Sequence, residues 1–134
     1  MTVNLFLCKY PEDSTDRYIE DTEEVIESCF IDEGILQDLK NYMCEQEIFD
    51  EEGKKVVNTI QHIKHDEIKT VIEKMQKLFL NKRYEKISRK ELEKNPELLT
   101  TVMGEFRTIT NIVFLLQIKY DNYLTNNRVL VQLG

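Results

Sequence analysis

The longest periodic pattern in the sequence spans residues 95–124, NPELLTTVMGEFRTITNIVFLLQIKYDNYL. Its apolar side chains recur at alternating steps of three and four, which places them on one face of an α-helix. Asn95 can cap such a helix, and Pro96 fits the first helical position, where no amide hydrogen bond is needed. One long helix is therefore predicted. Its seam consists of Leu99, Val102, Phe106, Ile109, Val113, Leu116, Tyr120 and Tyr123.

Apolar residues in the middle of this helix extend beyond that seam, since Ile112, Phe114, Leu115 and Ile118 lie on other faces. A helix that is apolar on several faces is usually covered on several sides. We therefore expect it to be the central element of the domain.

Three other segments show the helical period. Ile19, Thr22, Ile26 and Cys29 predict a helix near residues 17–31. Apolar residues 35, 36, 39 and 43 predict a second helix after Asp32 that ends before Phe49. The third segment begins after Asp66 and alternates apolar with charged residues up to Phe79, which indicates an amphipathic helix.

The two ends of the chain alternate with the period of two that is typical of strands. Residues 3–8 and 128–133 place Val3, Leu5 and Leu7, and likewise Val129, Val131 and Leu133, on one face. Residues 47–63 fit either a hairpin near residues 47–60 or a helix. The predicted fold class is mostly α (α+β), a compact bundle of about four helices around a long central helix, with a small β-sheet from the N- and C-terminal strands. Residues 1–134 are expected to form a single globular domain.

Composition narrows the class of protein. Of the 134 residues, 41% are hydrophobic and 32% are charged, which fits a globular chain better than a disordered one. No run approaches 18 consecutive apolar residues, so no membrane contact is expected. Three cysteines without C-x-x-C spacing favour reduced thiols in the cytoplasm.

Few residues suggest chemistry. His62, His65 and Asp66 could share a helical face and hold a metal ion, as in a metal-dependent hydrolase, although their order differs from that of the zinc proteases. The glycines are scattered and no serine lies in a nucleophile elbow. We expect no enzyme, no catalytic residue and no cofactor, and keep the hydrolase as an alternative.

Charge is divided unevenly along the chain, whose net charge is -7. Residues 1–53 hold 16 acidic and 3 basic side chains, a net -13, and residues 54–134 hold 9 acidic and 15 basic ones, a net +6. The acidic half is predicted to meet either the chain's own basic half or a foreign basic protein. The predicted partner-binding residues are Glu20, Glu23, Glu24, Glu27, Asp32, Glu33, Glu45, Glu47, Asp50, Glu51 and Glu52.

Size, acidity and the missing catalytic constellation resemble those of bacterial toxin-immunity proteins and phage-encoded inhibitors, a likeness of class that no motif supports. The predicted function is accordingly that of a small acidic binding or inhibitory protein. The basic run at residues 74–94 is interpreted as a solvated face or as the complement of the acidic N-terminal half, with no direct nucleic-acid contact. A second alternative is a homodimer through Leu99, Val102, Phe106, Ile109, Val113 and Leu116.

Overall fold

The computed structural model describes residues 3–79 and 93–134. Its strands are β1 Val3–Lys9, β2 Tyr18–Ile19, β3 Glu24–Ile31, β4 Met43–Gln46, β5 Ile48–Phe49, β6 Ile60–Ile63 and β7 Val129–Leu133. Its helices are α1 Glu33–Lys40, α2 Ile68–Phe79 and α3 Pro96–Tyr123, with a 3-10 turn at His65–Glu67 before α2.

A five-stranded antiparallel sheet in the order β3-β1-β7-β6-β4 organises these elements. The two terminal strands are neighbours, with Leu5 opposite Leu133 and Leu7 opposite Val131. The predicted terminal strands are therefore confirmed. Their predicted apolar face is confirmed as well, because Leu5, Leu7, Val129 and Val131 are buried in one core cluster.

Helices α2 and α3 cover that face of the sheet. Ile68, Val71 and Met75 of α2 are fully buried in the same cluster. Ile112, Leu115 and Leu116 of α3 are fully buried there too, so both helices pack on the sheet through one apolar face each. The predicted amphipathic helix after Asp66 and the predicted long helix are confirmed in position.

The opposite face of the sheet is covered by loops and by a small two-stranded sheet. β2 and β5 pair in parallel, with Tyr18 opposite Ile48. Tyr18 belongs to a second buried cluster with Cys8 and Leu130, whose side chains alternate with the helix-facing residues of β1 and β7. The protein thus has a helical layer, a central sheet and a thinner covering layer.

The prediction of a compact bundle of about four helices around a long central helix is wrong. The described residues form three α-helices, and a five-stranded sheet takes the central place. Among the described residues α3 packs on the sheet and α2 through one face, and Phe114 on its outer side is 59% exposed. Apolar residues on several faces of α3 misled the prediction, because some of them face solvent.

The predicted helix near residues 17–31 is also wrong, since this segment contains β2 and β3. A bulge in β3 explains the error: Leu7 pairs with Glu27 and Cys8 with Val25, which leaves Ile26 unpaired. Ile26 and Cys29 therefore pack on the same core although they are three residues apart. That spacing is the one expected of a helix.

The helix predicted after Asp32 is confirmed, and it ends before Phe49 as predicted. Asp32 caps α1, which stops at Lys40, and β4 follows. For residues 47–63 the strand alternative is the better one. β6 lies within this region and pairs antiparallel with β4, which precedes it, and an isolated bridge joins Phe49 to Lys55 across the intervening turn. None of the described helices is both long and apolar enough to cross a bilayer.

Candidate functional site

The predicted acidic residues do not share one helix. Glu24 and Glu27 lie on β3, an edge strand of the five-stranded sheet. Glu23 precedes that strand, and its Oε2 atom is buried with no hydrogen-bond partner among the described residues. These three residues are therefore separated by the pleat and bulge of a strand, whereas the predicted helix near residues 17–31 would have placed them on one helix.

Asp32 and Glu33 lie at the start of α1. The Asp32 carboxylate accepts a 2.8 Å hydrogen bond from the amide of Ile35, and Glu33 occupies the first helical turn. Both positions suit negative charge because the first turn of a helix has free amide groups and the positive end of the helix dipole. The cap and the helix dipole are sufficient to explain why acidic residues occur at these two positions.

Two other predicted residues lie near β4 and β5. Glu45 is on β4, opposite Gln61 of β6. Glu47 lies between β4 and β5 and forms a 2.8 Å ion pair with Lys55. This pair is exposed, so it contributes little to stability.

The remaining predicted acids converge. Glu20, Asp50, Glu51 and Glu52 line one open cleft of about 330 Å³, together with Asp21, which the sequence did not single out. We call these five residues the acidic cleft.

The small parallel sheet explains this convergence. β2 and β5 run side by side in the same direction, so the residues that follow them leave the sheet at the same edge. The amide of Glu20 donates a 2.8 Å hydrogen bond to the carbonyl oxygen of Phe49, which extends the ladder up to the cleft. Two acidic segments that are 30 residues apart in sequence are thereby brought together.

Local turns fix the shape of the cleft. The Asp50 carboxylate accepts hydrogen bonds from the amides of Glu52 and Lys54, at 3.0 and 2.8 Å, and so organises its own turn. Gly53 has φ 82°, a conformation that glycine adopts without strain. Asp21 has φ 61°, which aspartate tolerates better than most residues.

The Arg17 side chain lies beside Gly53, in the turn that contains Asp50, Glu51 and Glu52, and its ion pair is with Asp13. Arg17 lies 3.6 Å from the Asp13 carboxylate, and its guanidinium is 5.5 Å from the ring centroid of Phe49. Hydrogen bonds from Thr15 and from the Arg17 amide lower the pKa of Asp13 to about 2. Within residues 3–79 and 93–134, no ion pair within 4.0 Å neutralises a cleft acid.

The chain's own basic half lies mostly elsewhere. Lys69, Lys74 and Lys77 belong to α2, in the helical layer, whereas β2 and β5 cover the opposite face of the sheet. The five-stranded sheet therefore separates these lysines from the acidic cleft. The part of the predicted basic run at residues 80–92 lies outside the described residues.

The predicted metal candidates are only partly brought together. His62 is in β6 and His65 in the 3-10 turn, with ring centroids 5.8 Å apart, and Asp66 is exposed. Burial lowers the pKa of His62, and burial together with Lys119 and His62 lowers that of His65 to about 4. In the described part of the chain, no group of three or more His, Cys, Asp and Glu side chains is placed to hold a metal ion.

A buried lysine lies near these histidines. Lys119 of α3 is fully buried, and its ammonium donates hydrogen bonds to the carbonyl oxygens of Tyr123 and Asn126, at 2.6 and 3.0 Å. Burial lowers the pKa of Lys119 to about 8. Its charge is one reason for the low pKa of both histidines.

A contact that the sequence did not predict joins Cys44 to His62. The two residues are cross-strand partners on β4 and β6, and the Cys44 Sγ lies 3.3 Å from the His62 Nε2. They are 18 residues apart. The hairpin register that brings them together could not be chosen from the sequence.

The predicted dimer seam is largely used within the chain. Ile109 and Leu116 are buried in the core under α3, and Val113 packs partly against it. Phe106 is more exposed, at 38%. Leu99 and Val102 belong to α3, but their side chains are outside the described part of the structure.

Comparison with known proteins gives no relative: no family model, no curated protein and no solved structure matches this chain. Function is therefore inferred from the geometry and charge of the described residues.

Proposed function

We propose that this protein acts in the cytoplasm as a small binding or inhibitory protein whose acidic cleft docks onto a basic surface of a partner protein and occludes it. One observation supports the proposal above all others. Five carboxylates converge on one open cleft in the layer opposite α2, with no ion pair to a described basic residue.

Electrostatics favours a cationic partner at this position. Five carboxylates line this cleft, and like charges that are close together repel one another. A lysine or arginine side chain entering the cleft relieves that repulsion, and arginine can also bind a carboxylate through two parallel hydrogen bonds. A concentrated negative field also accelerates the encounter with a basic protein.

The resting structure supports a binding surface that is formed in advance. Asp50 is held by two amide hydrogen bonds, and the Glu20 amide is held by β5. Because the backbone on both sides of the cleft is fixed, little conformational entropy is lost there when a partner binds.

The test is capture of partners by the immobilised protein from a lysate of cells that contain it, at moderate salt, with identification by mass spectrometry. The informative variant is Glu20→Lys/Glu51→Lys/Glu52→Lys, which reverses three cleft charges. We expect it to lose a basic protein that the wild-type chain captures.

A matched control changes net charge by the same amount at other sites. Glu24→Lys/Glu27→Lys/Glu33→Lys alters β3 and α1 and leaves the cleft intact. The control is expected to keep the partner. Equal capture by the wild-type chain and the cleft variant would overturn the proposal, and equal loss in both variants would show that net charge, and not the cleft, attracts the partner.

A homodimer through the outer side of α3 is a second candidate. Met103 is 50% and Phe114 59% exposed, and eleven residues in a helix bring both to the same side. Sedimentation at micromolar concentration tests this candidate, with Phe114→Glu as the variant. A dimer that dissociates in the variant supports it, and a strictly monomeric wild-type chain eliminates it.

A further inference from the structure

The contact between Cys44 and His62 has the geometry of a nucleophile and its base. The Sγ of Cys44 lies 3.3 Å from the Nε2 of His62, within the distance of a hydrogen bond to sulfur. The antiparallel register of β4 and β6 places the two residues directly opposite each other, so the sheet itself holds the pair together.

The second ring nitrogen determines the direction of this hydrogen bond. The Nδ1 of His62 lies 3.2 Å from the carbonyl oxygen of Ile63, which can only accept a hydrogen bond. Nδ1 must therefore hold the proton. In the neutral ring Nε2 is then the acceptor, and it accepts the thiol hydrogen of Cys44. Ile63 thus orients His62 as a base for Cys44.

The pair is neutral at rest. Burial lowers the pKa of His62 and raises that of Cys44, although Lys64 nearby partly offsets the latter effect. Both pKa shifts disfavour an ion pair between a Cys44 thiolate and a His62 imidazolium in the resting protein. The thiol must therefore lose its proton to His62 during a reaction and not before it.

Cys44 is also accessible. It is half-buried and lines an open depression of about 270 Å³ with Lys40, Met43, Glu45 and Gln61. His62 lies deeper and is 5% exposed. A small molecule can thus reach the sulfur while the base stays shielded from water.

We propose that Cys44 and His62 form a thiol-reactive site that attacks small disulfides and stores one half of them as a mixed disulfide on Cys44. This site lies on β4 and β6, whereas the acidic cleft lies at the end of β2 and β5, so it does not depend on the proposed partner surface.

The reaction is thiol–disulfide exchange. The Cys44 sulfur attacks one sulfur of the disulfide, the new S–S bond forms and the old one breaks. The thiol proton passes to His62 Nε2 and then to the departing sulfur, which leaves as a free thiol. Cys44 is oxidised and the departing half is reduced, so no other oxidant is required.

The other two cysteines provide an internal comparison. Cys8 is almost fully buried, and burial together with Glu23 raises its pKa to about 11. Cys29 is half-buried, and burial together with Glu27 raises its pKa to about 11 as well. Both are expected to react only through the small thiolate fraction present near neutral pH.

Several charged groups face the pair and shape its pH dependence. Lys64 and Asp66 act on Cys44 from the segment after β6, and Lys119 acts on His62 from α3. The ring of His65 lies 5.8 Å from that of His62, with a pKa of about 4. Lys40 and Glu45 border the depression. Between pH 7 and 8.5 His62 is neutral and the Cys44 thiol is protonated, so the reactive pair persists.

The test uses 2-hydroxyethyl disulfide, an uncharged probe, with the full-length protein at several pH values from 7 to 8.5. Intact mass and peptide mapping report the rate at each cysteine. Cys44 is expected to react first, at a rate that barely changes with pH. In His62→Gln its rate should fall by about a hundredfold at pH 7 and rise by about tenfold per pH unit.

His65→Gln is the matched control, because it removes the neighbouring ring and keeps the Cys44–His62 contact. It should retain the flat pH profile. If His62→Gln unfolds, Cys8 and Cys29 will react together with Cys44. In that case the dependence of the wild-type Cys44 rate on pH is the result that tests the proposal. A wild-type Cys44 rate that rises tenfold per pH unit, or faster modification of Cys29, would overturn the proposal.

Discussion

The hydroxyl group of Tyr10 donates a 2.8 Å hydrogen bond to the side-chain oxygen of Gln132. Both side chains are buried, on the face of the sheet that the loops and the small sheet cover. The bond joins the loop after β1 to β7, the middle strand of the five. It therefore anchors the covering layer that positions β2, and with it one side of the acidic cleft.

Removing this hydroxyl should destabilise the protein. In Tyr10→Phe the ring can still pack against Tyr18, whose centroid is 5.2 Å away, but the Gln132 oxygen is left buried without its donor. We expect the free energy of unfolding to fall by about 1–3 kcal/mol in urea titrations. The double variant Tyr10→Phe/Gln132→Met should recover part of that loss, and strict additivity of the two changes would contradict this interpretation.

The packing of α3 predicts unequal effects for two adjacent residues. Leu115→Ala removes a fully buried side chain and should cost about 2–5 kcal/mol, whereas Phe114→Ala removes one that is 59% exposed and should cost less than about 0.5 kcal/mol. Thermal or urea unfolding, at a concentration where sedimentation shows a monomer, measures both. Equal losses would mean that α3 is covered on both sides.

The cap of α1 predicts a smaller effect. Asp32→Ala removes the acceptor of the Ile35 amide and should cost about 1 kcal/mol in urea unfolding. Asp38→Ala, later in the same helix, removes an equal charge and should change stability by less than about 0.5 kcal/mol. The two variants would behave alike if the charge of this segment, and not the cap, were responsible.

Acid should destabilise the fold through His65. Its pKa in the folded chain is about 4, below the ordinary value of 6.5, so the unfolded chain binds the proton more readily. The contribution of neutral His65 to the free energy of unfolding is fully present above pH 6.5. It is lost as the pH falls from 6.5 towards 4. His65→Gln lacks this contribution, although that of His62 remains, and the variant should gain about 1 kcal/mol relative to the wild type over that range. If the free energies of unfolding of the wild type and of His65→Gln differ by the same amount at every pH from 7 to 4, this role of His65 is contradicted.

Local patterns allowed individual elements of the fold to be predicted, although the predicted fold class was wrong. The alternation of Leu5 with Leu7 and of Val129 with Val131 predicted the two terminal strands, because apolar residues that repeat with a period of two over short runs indicate a strand. Asp32 predicted the start of α1 for a similarly local reason. These predictions needed no information about distant parts of the chain.

Features that depend on pairing could not be predicted in this way. The bulge at Ile26 makes a strand look helical, and only the pairing of β3 with β1 reveals it. The contact of Cys44 with His62 depends on the register of β4 and β6, and Asp21 meets Asp50 only because β2 and β5 run in parallel. The acidic residues of the cleft can be read from the sequence, but the strand pairing that brings them together cannot.

We propose that the acidic cleft steers a basic partner to this protein. The most direct test is the rate constant of association with the captured partner, measured by stopped flow at several salt concentrations. For the wild-type chain we expect a steep fall as salt rises, and for Glu20→Lys/Glu51→Lys/Glu52→Lys a rate lower by about tenfold or more at low salt. Equal rates for the two proteins, with the same dependence on salt, would contradict the claim.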